Sequence, residues 1–515
     1  NVVVQRRCAS WRSIVMARTV RVVALDFKCT LSITVRASEE KGRVHDVPPS
    51  KTRSHAMNHP VVDPATDVVH RLRTGLAGSV LAPDDPLYDE ARRPFFAMFD
   101  RRPAAVVRPV SAADVAHALL TAREFGLTVA VRSGGHSPAG HSAVEGGVLI
   151  DLRDMRALEI DPTERTAWAG TGLKAGEFTA TAAEHGLAVG FGDTGTVGIG
   201  GITLSGGVGY LHRKVGLTVD NVLAAEVVTA TGEVVQADET TNPDLFWALR
   251  GGGGNFGVVT RFEYRLHEID RVYGGFMILP ATPARIVEVV DRFREAPDDV
   301  SGMVNVAPAP PLPFIPPEHH GRMIMMVAFV HAGDPEAGER FAAGIRALGT
   351  PLMDSVHPLR YREVFEQQGP PLPPAITSHS CFRDTIDLAT AEAVVDALQR
   401  APAPMRVVQF RVLGGAVGRV PADATAVPCR ASGMLTVVNT GFQDPAQTAQ
   451  NAEWGAGVVG FLRQTSGCYI GFMGDAGEAG GRIAYPADAL ARLAAVKARF
   501  DPENVFRSNQ NVPPA

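Results

Sequence analysis

The 515-residue chain is poor in cysteine, in net charge and in unbroken apolar runs, and each shortage removes a class of protein. Its five cysteines, Cys8, Cys29, Cys381, Cys429 and Cys468, are odd in number, widely spaced and form no CxxC pair, which argues against a disulfide framework and against a zinc site. No metal is expected. A formal net charge of -5 and a pI near 6.3 give no basic field to draw a nucleic-acid backbone or an anionic membrane, so neither is an expected partner. No stretch reaches the roughly 18 uninterrupted apolar residues that a spanning helix needs, and the expected location is the cytoplasm. At 45% hydrophobic and 20% charged, the chain is globular and too long for one compact core, so two domains are the natural expectation.

Residues 1–56 are set apart by their arginines and their lack of helical period. Arg12, Arg18 and Arg21 break any secretory apolar core, although an organellar presequence is one reading. The simpler expectation is a disordered or non-native extension, with Met57 as the start. From Pro109 the pattern is regular. Ser111 predicts an N-cap for a helix from Ala112 to Phe125, Gly126 stops it, and a strand from Leu127 to Val131 follows. Further on come a strand from Thr166 to Gly170, a helix from Leu173 to Glu184, a hairpin turning at Thr231-Gly232, and a helix that Asn242 caps before Pro243. Beyond Leu266, strands such as Met323 to Val330 and Arg406 to Leu413 alternate with helices such as Pro335 to Leu348 and Ala389 to Arg400, which predicts an antiparallel sheet with helices. Pro-rich stretches at Ala307 to Pro317 and Pro370 to Pro374 read as loops.

The 52 glycines are not scattered. One cluster, Arg132-Ser133-Gly134-Gly135-His136-Ser137, follows a strand; a denser one runs from Gly190 to Gly201 and on through Gly206-Gly207-Val208-Gly209-Tyr210. Successive backbone N–H groups in such turns can converge on an anion, and two turns suggest a diphosphate. Neither a GxxxxGK[ST] run nor a Rossmann fingerprint is present, so the glycines alone leave the ligand open.

Taken together with Asn255-Phe256-Gly257-Val258-Val259-Thr260 and the tail from Arg492-Leu493 to Phe506-Arg507, these motifs resemble the berberine-bridge-enzyme-like branch of the vanillyl-alcohol-oxidase flavoproteins. The resemblance covers about Pro103 to His267 and Arg482 to Pro513. It implies an α+β fold: a two-part FAD-binding domain, 57–268 and 451–515, around an antiparallel-sheet substrate domain, 269–450. It also implies FAD bonded to His136. Thr194 stands where some relatives carry a second, cysteine link, so a single bond is expected. By the same resemblance, Arg132, Ser133, Gly134, Gly135, Ser137, Gly140 and His141 surround the pyrophosphate and ring edge. Val197, Gly198, Gly201, Gly206, Gly207, Gly209 and Tyr210 lie along the flavin, and Gly257, Val259 and Asn509 contribute further. Val197 sits where relatives leave oxygen a path to the ring.

The implied activity is an oxidase that takes a hydride from a small-molecule alcohol or amine and reduces oxygen to hydrogen peroxide. A dehydrogenase with another acceptor and a non-catalytic binding protein are the alternatives. For the proton acceptor the sequence departs from the family: Leu490 stands where several relatives have a tyrosine, and Tyr485 is displaced. Gln409 and Arg411 share one face of their strand, which meets either the flavin or solvent; Tyr210 and His379 are further candidates. The substrate is not legible, and a homodimer is compatible with the sequence.

Overall fold

The computed structural model describes residues 64–366, 373–428 and 430–515, together with four short extended segments nearer the start. Residues 1–61 and 62–515 form separate compact units. In the first, Val2–Gln5 pairs antiparallel with Ser32–Val35, and Val15–Met16 with Thr19–Val20. The expectations for the rest of 1–56 and for Met57, like those for Cys8, Cys29, Cys429 and residues 370–372, lie outside the described residues.

The second unit is built on three main sheets. A four-stranded sheet, ordered Ser79–Leu81, Ala105–Arg108, Val148–Asp151 and Val129–Arg132, has parallel inner pairs. Its strands are buried apolar runs, as two-sided cover demands. Beside it in sequence, a five-stranded antiparallel sheet runs Val234–Asp238, Val222–Val228, Val258–Arg265, Thr166–Gly170 and Leu158–Asp161. The Ala112–Glu124 helix begins as read: the Ser111 side chain accepts from the Asp114 N–H, and Gly126 takes a positive φ of 66° at its end. Asn242 is a correction. It precedes the Pro243–Leu249 helix, but its side chain makes no cap bond and reaches the Gln236 carbonyl instead.

The third sheet has eight antiparallel strands, among them Arg271–Pro280, Met323–His331, Val300–Pro308, Met405–Val412, Met434–Phe442 and Ala375–Arg383 in that order. Helices Pro283–Arg294, Pro335–Arg346, Leu388–Arg400 and Thr448–Leu462 cover one face. Val304, Val306, Val408, Phe410, Met434 and Val438 point into that helical layer. The residues between them point the other way: Leu413, Leu435, Val437 and Phe382 pack with Val208, Leu217, Val219 and Tyr469 of the glycine-rich half. Strand alternation therefore selects which side chains can reach the site. After the helix Thr448–Leu462 the chain goes back, and Tyr485, Leu493, Val496 and Val512 share a core with Phe178, Phe191, Phe246 and Tyr264. The buried Lys497 locks this return. Its ammonium donates to Asp501 Oδ2 at 2.6 Å and to the carbonyls of Asn255 and Phe506 at 2.7 and 2.8 Å. No helix among the described residues is long and apolar enough to cross a membrane.

Candidate active site

Two glycine turns interlock at the end of the parallel strands. A Cβ on Gly134 would lie 2.2 Å from the Gly198 nitrogen, and one on Gly198 would lie 2.2 Å from the Gly134 nitrogen, so neither position admits a side chain. Ser133 fastens the contact, donating from Oγ to the Thr171 carbonyl at 2.6 Å and accepting from the Gly200 N–H at 3.2 Å. Val197 is held through its carbonyl by the Ala175 N–H at 2.8 Å. The Arg132 guanidinium is buried behind the turn, donating to Asp151 at 2.7 Å and to the carbonyls of Ala91, Arg92 and Arg93, so it braces the turn.

At the mouth of the first turn His136 stacks on Phe95, with ring centroids 4.0 Å apart and planes within 19°. Burial pulls its pKa down to about 4, against weaker upward pulls from the Thr196 backbone and the Asp193 charge, so the imidazole is neutral near pH 7. The N–H groups of Gly134, Gly135, His136 and Ser137 make no hydrogen bond to the described chain. Gly140 and His141 close the turn, with Gly140 on the Phe99 ring and His141 lowered to about 4 by burial.

The second glycine run folds under this turn. Gly209 approaches the Gly192 backbone, Gly207 donates its N–H to the Tyr469 hydroxyl at 2.8 Å, and Gly206 faces the Tyr469 ring. Gly201 and Gly254 lie on an open side, where an added Cβ would meet nothing within 4 Å. Asn509 spans to this side from the C-terminal segment, donating to the Gly254 and Phe506 carbonyls at 3.1 Å each, while its Oδ1 is buried without a partner. Gly257 packs on Val227, and the Val259 side chain is in the core, so any contact either makes with a cofactor is through backbone. Free N–H groups in succession, two turns that tolerate no side chain and an unpartnered amide oxygen fit a long anionic cofactor such as FAD.

The sheet face opposite these turns is not in solvent. Arg411 is buried; it donates to the Val208 carbonyl at 3.1 Å and to the Asp193 carboxylate, and its guanidinium lies 4.8 Å from the Phe472 ring centroid. Asp193, which no sequence argument had singled out, is the new residue here. Burial works against its charge, but the Arg411 ion pair and the Thr194 hydroxyl outweigh it and hold its pKa below the usual carboxylate range. Tyr210 is its neighbour: burial first, and then the Asp193 charge, raise the phenol pKa and keep it protonated. Gln409 sits beside Arg411, accepting from its Nε at 2.6 Å.

Two other candidates are placed elsewhere. His379 pairs across to Val438 on the helix-facing side, and its Nδ1 lies where a Cβ on Gly455 would be only 2.6 Å away, so it points away from the glycine turns. Tyr485 is fully buried in the core with its hydroxyl on the Gly251 carbonyl. Leu490 packs against the same core. No group of His, Cys, Asp and Glu among the described residues is arranged to hold a metal ion.

Comparison with known proteins places this geometry. Residues 103–238 match the model of an FAD-binding domain, and residues 475–513 match that of berberine and berberine-like proteins. The chain is 31% identical over 458 residues to (R)-6-hydroxynicotine oxidase of Paenarthrobacter nicotinovorans, covering 85% of this chain and 97% of that protein. The crystal structure of 6-hydroxy-D-nicotine oxidase from Arthrobacter nicotinovorans superposes with a TM-score of 0.75 at 30% identity, covering 85% of this chain and 98% of the other. Berberine bridge enzyme from Eschscholzia californica shares the fold, with a TM-score of 0.74 at 20% identity over 88% of this chain and 99% of that one. The chain belongs to the berberine-bridge-enzyme-like FAD-linked oxidoreductases, within the vanillyl-alcohol-oxidase flavoproteins.

Proposed function

We propose that this oxidoreductase is an oxidase that takes a hydride from a small-molecule alcohol or amine and passes the electrons to oxygen, with FAD joined covalently to His136 alone. The observation that carries the reading is the neutral His136 imidazole, set by its Phe95 stack at the mouth of two interlocked glycine turns. A neutral ring keeps a nitrogen lone pair for bonding to the flavin methyl carbon; a protonated one would not. The division into 57–268 and 451–515 around a substrate domain 269–450 belongs to the same proposal, except that the second boundary moves to about residue 463, because the Thr448–Leu462 helix rides on the substrate-domain sheet.

FAD supplies the hydride acceptor, and the chain does the rest. The residues read from the sequence divide unequally between the tasks. Arg411 is a cation and Gln409 an amide, so neither takes a proton; Tyr210 is kept protonated, so it is not the acceptor either. Asp193, which the structure adds to them, is an ionised carboxylate beside Arg411 and Tyr210; because Arg411 holds its pKa low it is a weak base, and its task is to fix the Arg411 guanidinium beside the reacting oxygen or nitrogen and not to take the proton. The side chain of Val197 leaves oxygen a route to the ring.

The experiment is a denaturing gel of the purified protein and of His136→Ala, viewed for flavin fluorescence, followed by peroxide assay with air as the sole oxidant over a screen that includes 6-hydroxynicotine and xylobiose. A fluorescent wild-type band, dark in the variant, and peroxide with one compound are the expected results. A dark wild-type band overturns the link; flavin bleaching without peroxide overturns the oxidase.

A further inference from the structure

The sheet face that carries Arg411 also carries a chain of side-chain amides whose polarity the arginine dictates. A guanidinium has donors only, so the 2.6 Å contact from Arg411 Nε fixes the Gln409 oxygen toward Arg411 and the Gln409 nitrogen away from it. That nitrogen donates to Asn305 Oδ1 at 2.6 Å, across the registered pair Asn305–Gln409 of neighbouring strands. The second donor of the chain is then Asn305 Nδ2, which is buried and has no partner among the described residues. Asn305 lies on the site side of the sheet, because Val304 and Val306 point into the helical layer while Ser301, on the same alternation as Asn305, meets the Arg213 N–H of the glycine-rich half.

We infer that Asn305 is a specificity-determining residue that donates a hydrogen bond to an uncharged acceptor atom of the substrate, its direction imposed by Arg411 through Gln409. This rests on the oxidase reading and narrows it. A buried amide donor left unpaired costs about 1–3 kcal/mol, which a matching acceptor recovers. The charges on the page favour a neutral acceptor. Asp193 and Arg411 form an ion pair and cancel, so that carboxylate is not left to balance an ammonium ion. The substrate class is therefore a neutral compound presenting a carbonyl, ether or hydroxyl oxygen or an aromatic ring nitrogen to Asn305.

The test measures ligand binding to the holoenzyme through the visible absorbance of its oxidised flavin, with three matched pairs of probes: acetone and isopropylammonium, cyclohexanone and cyclohexylammonium, acetophenone and 1-phenylethylammonium. The ketone of at least one pair should bind about tenfold more tightly than its ammonium partner. Asn305→Asp exchanges donor for acceptor and should invert that ranking. Gln409→Met, which adds no charge, removes the group that fixes the direction of Asn305 and should bring the two members of each pair to within about twofold of each other. A merely structural role for Gln409 would weaken both members of a pair alike. No ketone preference in the wild type, or a ranking that survives either substitution, overturns the inference. Because the readout needs neither turnover nor oxygen, an intact ranking without peroxide formation counts against the oxidase alone.

Discussion

The turns around His136 and the sheet face around Arg411 meet at one site but are built by opposite means. The turns are made of backbone: their geometry demands glycine, and their ligand-facing groups are main-chain N–H donors. The sheet face is made of side chains whose partners lie far away in sequence, Arg411 reaching Asp193 and Gln409 reaching Asn305. A backbone site should fail when volume is added; a side-chain site should fail when charge or hydrogen-bond direction is changed.

The largest effect is expected where a side chain holds backbone. Lys497 is fully buried against Asp501 and two carbonyls at the junction of the C-terminal segment with the 251–254 turn. Lys497→Met leaves a buried carboxylate unpaired and should cost about 3–5 kcal/mol in urea unfolding. A cost below about 1 kcal/mol would mean that the C-terminal segment docks without it.

Next come two glycines that look alike in sequence. Gly134→Ala places a methyl group against the Gly198 backbone and should cost on the order of 3 kcal/mol while abolishing flavin incorporation. Gly201→Ala, inside the Ile199–Leu204 helix and facing open space, should leave stability unchanged or raised by about 0.5–1 kcal/mol, yet lower the flavin-to-protein absorbance ratio. If both variants lose stability equally, Gly201 is structural and the open side is not the flavin's.

Acid probes both regions at once. His141 and His212 are lowered to about 4 by burial, and the neutral His212 ring has one N–H to donate to one of the two carbonyls its nitrogens approach, Gly209 of the turns or Val412 of the sheet. Since their unfolded pKa is about 6.5, the unfolded chain binds more protons below that value. Stability should fall as pH drops from about 6.5 to 4, by on the order of 2–3 kcal/mol for each histidine. Denaturant midpoints at the two ends of this window measure it, and a flat profile would mean these rings charge freely in the fold.

How much of this the sequence disclosed follows the same division. Gly207 answers a local backbone requirement, a φ of 78°, whereas Gly134 and Gly198 were read from the motifs they stand in, because what excludes a side chain at each is the backbone of the other. The strands Val300–Pro308, Ala375–Arg383 and Met434–Phe442 went unread: both faces of each are buried, so the polar alternation that marks a strand is missing. Asn305 and Asp193 were missed for a related reason. Each gains meaning only from a partner 104 or 218 residues away, and no spacing rule along the chain brings those positions together. His379 was named without a face, and it lies one step of alternation from Ser378 and Ser380, which in a strand is the difference between the helices and the site.

The smallest predicted effects make the sharpest comparison, because two serines do the same hydrogen-bonding work in the two regions. Ser133 donates to the Thr171 carbonyl and accepts from the Gly200 N–H; Ser380 donates to the Tyr469 carbonyl and accepts from the Tyr469 N–H, at 3.0 Å each way. Either serine replaced by alanine should cost about 1 kcal/mol. Ser133→Ala loosens the contact between the interlocked turns, so its flavin content should drop while ligand ranking is kept. Ser380→Ala loosens the backbone of Tyr469, on the sheet side, so flavin content should hold while ligand affinity changes. Should the two variants lose flavin equally, the turns and the sheet form one cooperative unit, and the separation between a backbone-built cofactor site and a side-chain-built substrate site does not survive.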